Sequence, residues 1–174
     1  IAAGTPIAAF EAMFGDDAAV VRAMPNTPSA VGAGITALVA NDAAGEDGLA
    51  KAEALLAGLG QTVRLESEGQ MDAVTGLSGS GPAYVFHLIE AMAAAGEAEG
   101  LAPDLAMRLA RATVIGAGRL AEASPDTAET LRVNVTSPGG TTAAGLEVLM
   151  AELPELMRRT VGAAAARSRV LAKG

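Results

Sequence analysis

The chain has no cysteine and no tryptophan, and only one tyrosine, three phenylalanines and one histidine among its 174 residues. Without cysteine no disulfide framework can staple the fold, which suits a reducing compartment and leads us to expect a cytoplasmic protein. A single histidine and no cysteine also leave a transition metal without its usual ligands, so no metal site is expected. Basic residues are scarce as well. Twelve Lys and Arg against 20 Asp and Glu give a formal net charge of -8, the wrong sign for a nucleic-acid partner. Long apolar runs are missing too. The longest uncharged stretch, Ala23 to Asn41, contains two prolines, two glycines and two asparagines. A bilayer helix needs about 20 mainly apolar residues without such breakers. No secretory leader with a basic start and a short apolar core is visible, so no membrane association is expected.

What the chain has instead is alanine. Hydrophobic residues make up 51% of the sequence but aromatics only 2%. Small side chains let helices approach closely, yet each buries little area at roughly 25 cal/mol per Å². Such a chain gains from extending its core across a subunit interface, and an oligomer is expected. Up to about Glu68 the pattern alternates strands (Val20 to Met24, Ile35 to Ala40, Thr62 to Leu65) with helices (Pro6 to Phe14, Glu46 to Leu59). That alternation predicts an α/β fold with a parallel sheet. After Asp72 the strand signal stops. Helices are predicted over Pro82 to Glu99, capped by Ser80, and over Pro103 to Ala123, Pro125 to Val133, Thr141 to Met150 and Pro154 to Leu171. Gly116 and Gly118 cost about 1 kcal/mol each inside a helix, which implies that another backbone passes close to them. The boundary between the two halves falls near Gly69.

Two segments carry the chemistry. Val135-Thr136-Ser137-Pro138-Gly139-Gly140-Thr141-Thr142 packs a proline, paired glycines and four hydroxyls just before a helical pattern. Glycines allow close backbone approach, and the free N–H groups at a helix start favour a carboxylate or phosphate. The plainer reading is an ordinary run of helix caps. Asp72 to Tyr84, "DAVTGLSGSGPAY", is equally unusual in composition. Read together, "DAVTGLSGSGPAY" and "TSPGGTTAAGL" resemble the signature segments of pyrroline-5-carboxylate reductases in wording, order and separation. "IAAG" at Ile1 to Gly4 and "RAMPNTP" at Arg22 to Pro28 fit the same pattern, and the resemblance covers essentially the whole chain.

The resemblance implies reduction of 1-pyrroline-5-carboxylate to L-proline by hydride from NADPH or NADH, the last step of proline biosynthesis. It implies the remainder of a Rossmann-type parallel sheet followed by an all-α dimerisation domain. Residues 1–69 would be the C-terminal part of the dinucleotide-binding domain, and 70–174 the dimerisation and substrate-binding domain. A homodimer follows, with higher assembly left open. By the same resemblance Ser137 and the backbone N–H groups of Gly140 and Thr141 hold the substrate carboxylate. Thr142 hydrogen-bonds the substrate nitrogen and is the catalytic position. Its alcohol pKa lies far above 7, so it orients the imine rather than acting as a strong acid. Glu68 matches an acidic position near the substrate, while Asn134 and Ala3 match positions at the cofactor.

Other features are set aside. Gly32 to Ala37 spells G-x-G-x-x-A but leads into a β-branched strand instead of opening a helix after one, which is the reverse of a dinucleotide fingerprint. The cofactor-binding half of the family pattern is therefore expected to be missing, and an inactive dimerisation fragment is the alternative reading. Pro25 to Pro28 reads as a rigid turn. His87 lies within a helix between Phe86 and Leu88 and has no identifiable catalytic partner, so a structural or interface role is expected. Ser78 to Gly81 lacks a histidine partner for nucleophilic catalysis and reads as a bend and helix cap that also shapes the substrate cleft. A 3-hydroxyacid dehydrogenase would need a lysine facing the cleft, and Lys51 and Lys173 are both poorly placed for that.

Overall fold

In the computed structural model, residues 4–172 are described. The elements run α1 (Ile7–Phe14), β1 (Val21–Met24), β2 (Gly34–Ala40), α2 (Gly45–Leu56), β3 (Gly60–Arg64), α3 (Met71–Val74), α4 (Gly81–Ala98), α5 (Pro103–Ala123), α6 (Ala128–Asn134) and α7 (Thr141–Leu171). Short 3₁₀ turns occupy Thr27–Val31, Ala57–Leu59 and Glu68–Gln70, and a π-helical turn occupies Thr75–Gly79. Among the described residues no helix is long and apolar enough to cross a membrane. The chain divides into two compact units, 1–82 with 158–174, and 83–157.

In the first unit the sheet has the order β1-β2-β3. β2 is buried along Thr36, Ala37, Leu38 and Val39, as expected of a middle strand covered on both faces. β2 and β3 are parallel, with Gly34 opposite Gly60 and Leu38 opposite Arg64. The twelve-residue α2 supplies the crossover that parallel strands require. β1 departs from the expected parallel sheet. It runs antiparallel to β2, Val21 opposite Ala40 and Met24 opposite Ala37. The physical reason is the connection. Between Met24 and Gly34 the chain makes only one five-residue 3₁₀ turn, too short to carry a strand back for parallel pairing. Asn26 clamps this loop, its Oδ1 accepting from the Ile35 N–H at 3.0 Å, so Pro25 to Pro28 is the rigid turn expected.

Ile7, Val39 and Met71 form the buried cluster, with Val20, Met24 and Leu65 packed against it. Arg64 at the end of β3 reaches α2. Its Nε and Nη2 donate to both Glu53 carboxylate oxygens at 2.8 Å, and Nη1 donates to Glu46. The hydrogen bond from Arg64 holds the Glu53 carboxyl below the usual carboxylate range.

The stretch expected to be a bend and cap at Ser78 to Gly81 is different in kind. Ser80 has helical backbone angles (φ −87°, ψ −18°), and its N–H bonds the Thr75 carbonyl at 2.9 Å, five residues back. The wider turn replaces a capped helix start, and Gly76 explains its position. A Cβ on Gly76 would lie 2.8 Å from the Val161 carbonyl oxygen and 3.0 Å from the Ala165 nitrogen, both on α7. Backbone packs on backbone here, and Ser168 Oγ bonds Asp72 Oδ1 at 2.6 Å nearby. α7 also differs from expectation. The two predicted pieces, Thr141 to Met150 and Pro154 to Leu171, are one helix of 31 residues with Pro154 inside it. Proline removes a single backbone donor and crowds the preceding turn, a cost that good helix formers on either side absorb.

In the second unit α5 matches its expected limits, Pro103 starting it at N1. α6 starts later than expected, at Ala128, because Thr127 caps it by accepting the Thr130 N–H at 3.1 Å. Among the described residues nothing lies within 4 Å of a Cβ placed on Gly116 or Gly118, so they do not supply the close backbone expected there.

Replacing Gly76 by alanine is expected to destabilise the protein by about 1–3 kcal/mol, since overpacking against backbone outweighs the gain in helix propensity. Urea unfolding followed by far-UV circular dichroism measures this, and a midpoint at or above the parent's would disprove the contact with α7.

Candidate functional site

In the second unit the chain leaves α6 at Asn134 and enters α7 at Thr141. Thr136 closes α6 from behind: its N–H bonds the Val133 carbonyl at 3.0 Å and its Oγ1 donates to the Arg132 carbonyl at 2.6 Å. The next four residues, Ser137-Pro138-Gly139-Gly140, form a β-turn closed by the Gly140 N–H donating to the Ser137 carbonyl at 3.0 Å. Proline at the second position and φ +67° at Gly139 are the requirements of a type II turn. Gly139 is needed for its left-handed backbone, and Pro138 presets the corner.

Gly140 then accepts the first helical hydrogen bond, from the Ala144 N–H at 3.2 Å, which makes it the N-cap of α7. Having no side chain, it caps nothing. The N–H groups of Thr141, Thr142 and Ala143 therefore stand at the start of a long helix without an intrahelical partner. Ser137, Thr141 and Thr142 are exposed beside them. The arrangement offers backbone donors, the positive end of a helix dipole and three hydroxyls within six residues.

One expected donor is engaged within the chain: the Gly140 N–H bonds the Ser137 carbonyl at 3.0 Å. The contribution of Gly140 is the missing side chain: a Cβ there would lie 3.1 Å from the Ser137 carbonyl oxygen. The amides that the turn leaves over are those of Thr141, Thr142 and Ala143, and the last of these carries no signal in composition.

Glu68 belongs to the first unit, where its Oε1 accepts the Ile7 N–H at 2.8 Å and meets Arg22 Nη1 at 2.7 Å. It holds the start of α1 and the β1 strand together. Asn134 is the last residue of α6 and is exposed. Ala3 and Lys173 lie outside the described residues. Lys51 is on α2. His87 is exposed on α4 and pairs with Glu90 through Nδ1 at 2.9 Å. Gly32 ends a 3₁₀ turn with φ +71° and passes into β2, so the G-x-G-x-x-A string opens a strand rather than a helix. No other glycine-rich turn among the described residues leads from a strand into a helix, and a dinucleotide's diphosphate finds no cradle there.

A family model described as pyrroline-5-carboxylate reductase dimerisation matches residues 68–171. The chain belongs to the pyrroline-5-carboxylate reductase family. Among relatives, the pyrroline-5-carboxylate reductase of Synechocystis sp. is 50% identical over 133 residues, covering 76% of this chain and 49% of that protein. That of Pseudomonas aeruginosa is 42% identical over 174 residues, covering 99% of this chain and 64% of the relative. The solved pyrroline-5-carboxylate reductase of Coxiella burnetii superposes with a TM-score of 0.95 at 40% identity, over 100% of this chain and 65% of that one. A Plasmodium falciparum pyrroline carboxylate reductase with NADP bound gives a TM-score of 0.84 at 31% identity, over 98% of this chain and 67% of that one. The chain thus spans about half to two thirds of the length of these reductases. The family match takes in both the π-turn segment and the Ser137 to Thr142 turn.

Proposed function

We propose that this chain is the dimerising, substrate-holding part of an enzyme that reduces 1-pyrroline-5-carboxylate to L-proline with hydride from NADPH or NADH, in the cytoplasm. The observation that carries the proposal is the uncapped start of α7 behind the Ser137 to Gly140 turn, inside the segment that matches the reductase family. The substrate is a cyclic imine bearing one carboxylate. Protonated, the imine carbon is already an electrophile, so the protein needs no nucleophile and no strong acid. The nicotinamide supplies the hydride when bound. The residues of this chain supply position, which can be worth several kcal/mol of the barrier.

In this reading the N–H groups of Thr141 and Thr142, with Ala143 behind them and the Ser137 hydroxyl beside them, grip the carboxylate. The Thr142 hydroxyl accepts or donates one hydrogen bond at the ring nitrogen and fixes which face of the imine is presented. Glu68, which holds α1 to β1 through Ile7 and Arg22, is the acidic position near the substrate, and Asn134 serves the nicotinamide end of the cofactor. Residues 70–174 act as the dimerisation and substrate-binding domain, and 1–69 as the end of the dinucleotide-binding domain.

Two features favour a homodimer. Only Ala93, Ala106 and Ala110 are buried among the hydrophobic residues of the second unit, while Phe86, Leu109, Ile115, Leu120 and Val148 are exposed. Three alanines cannot offset the ordering of four helices, at roughly 1–2 kcal/mol per residue of backbone. A second copy would cover these side chains and bring a backbone to Gly116 and Gly118. Sedimentation equilibrium of the 174-residue chain is expected to give a dimer; a monomer at micromolar concentration would refute this. The dinucleotide test is calorimetric. With no diphosphate cradle among the described residues, the chain alone should bind NADPH weakly, as an inactive dimerisation fragment would, and micromolar affinity would overturn that.

The kinetic test uses the full-length enzyme. Thr142→Ala should lower kcat by about 10²-fold, the typical loss for one preorganised contact at a reacting atom. Gly140→Val should chiefly raise KM, because its side chain presses on the Ser137 carbonyl and spoils the turn. Unchanged kcat and KM for Thr142→Ala would remove that residue from the site.

A further inference from the structure

The first unit contains a cleft that the reaction above does not use. Its volume is about 420 Å³, within the size range of small-molecule sites. Gly4, Met24, Thr75, Ser80, Arg167 and Ser168 are among the residues that line it. Among the described residues of that lining Arg167 is the one that carries a charge. Its guanidinium makes no ion pair among the described residues, unlike Arg22, Arg64 and Arg132. Two of the hydroxyls are already committed. Thr75 Oγ1 donates to the Met71 carbonyl at 2.8 Å, and Ser168 Oγ donates to Asp72 Oδ1 at 2.6 Å. The second bond ties a carboxylate, Asp72, behind the wall, through one of its two oxygens. Ser80 keeps its hydroxyl for a ligand, and Gly4 adds backbone without a side chain in the way.

In a chain of net charge -8, a guanidinium without an ion pair, in a cleft whose described lining holds no carboxylate, stands out. We propose that this cleft binds a small anionic group, carboxylate or phosphate, with Arg167 as the cation and Ser80 as a neutral donor. The planar guanidinium fork matches both groups. Arg167 is exposed, so its pull is screened and the affinity should be modest, a Kd of about 1–10 mM. The proposal is independent of the Ser137 to Thr142 reading, and a residue-resolved experiment separates the two.

The test is an NMR titration of the ¹⁵N-labelled chain in chloride buffer, with inorganic phosphate, L-proline and NADP⁺ in separate arms. Saturable shifts are expected at the Arg167 Nε–H and at the amides of Gly4, Thr75 and Ser80. A response to phosphate or L-proline assigns a free anion, and a response to NADP⁺ alone assigns a dinucleotide phosphate. Arg167→Met should weaken binding about fivefold or more. Arg169→Met, an exposed arginine outside the cleft lining, should leave it unchanged. The proposal fails if no arm gives saturable shifts at these residues, if Arg167→Met binds as the parent does, or if the shifts are confined to Thr141 to Ala143.

Discussion

One side chain, Asn41, organises the first unit. Its Oδ1 accepts the Val20 and Ala44 N–H groups, each at 3.0 Å. Its Nδ2 donates to Glu11 at 2.9 Å and to the Ala18 carbonyl at 2.8 Å. Those four bonds join α1, the approach to β1, the exit from β2 and the entry to α2. Buried or half-buried backbone groups must find partners, and here a single amide satisfies several at once. Asp would lose both donated bonds, and a smaller residue would lose all four. The packing of Ile7 and Val39 around Met71, and hence the seat of the π-turn, depends on α1 and β1 being held in place this way.

The second unit is built on the opposite economy. It has almost no interior, and its helices carry their apolar side chains outward. What it does fix locally is the four-residue turn before α7, through one hydrogen bond, one proline and one left-handed glycine. Under the proposed reading no side chain attacks the substrate and the rate comes from alignment, which requires that the amides not wander.

Much of this was legible in the sequence, and the exceptions have distinct causes. α5 could be bounded at both ends because Pro103 starts it and the pattern stops at Ala123. β2 could be placed from its β-branched and apolar run. The direction of β1 could not, since strand periodicity is the same for parallel and antiparallel pairing; the length of the Pro25 to Ala33 loop was the usable clue. The π-turn leaves no mark in hydrophobic pattern, and Ser80 before Gly81-Pro82 looks like a cap. Pro154 has the look of a helix start, and only the surrounding helix formers argue for continuity. The turn at Ser137 to Gly140 was recognisable as a candidate anion site, but which amides the chain itself uses depends on a hydrogen bond that composition does not encode. Glu68 was placed by resemblance alone; its bonds to Ile7 and Arg22 are non-local, and no local pattern announces them.

The bare N-cap at Gly140 sets stability against use. Serine, threonine, asparagine or aspartate at an N-cap normally bonds the second or third amide of the helix, which stabilises it by about a few tenths of a kcal/mol relative to glycine. Under the proposed reading those amides are the ligand's. A capping aspartate would be an internal mimic of the substrate carboxylate, tethered where the substrate must go and present at an effective concentration no free molecule could match. A side chain there would also crowd the Ser137 carbonyl, and glycine leaves the start of α7 open for what the proposed reading places on it.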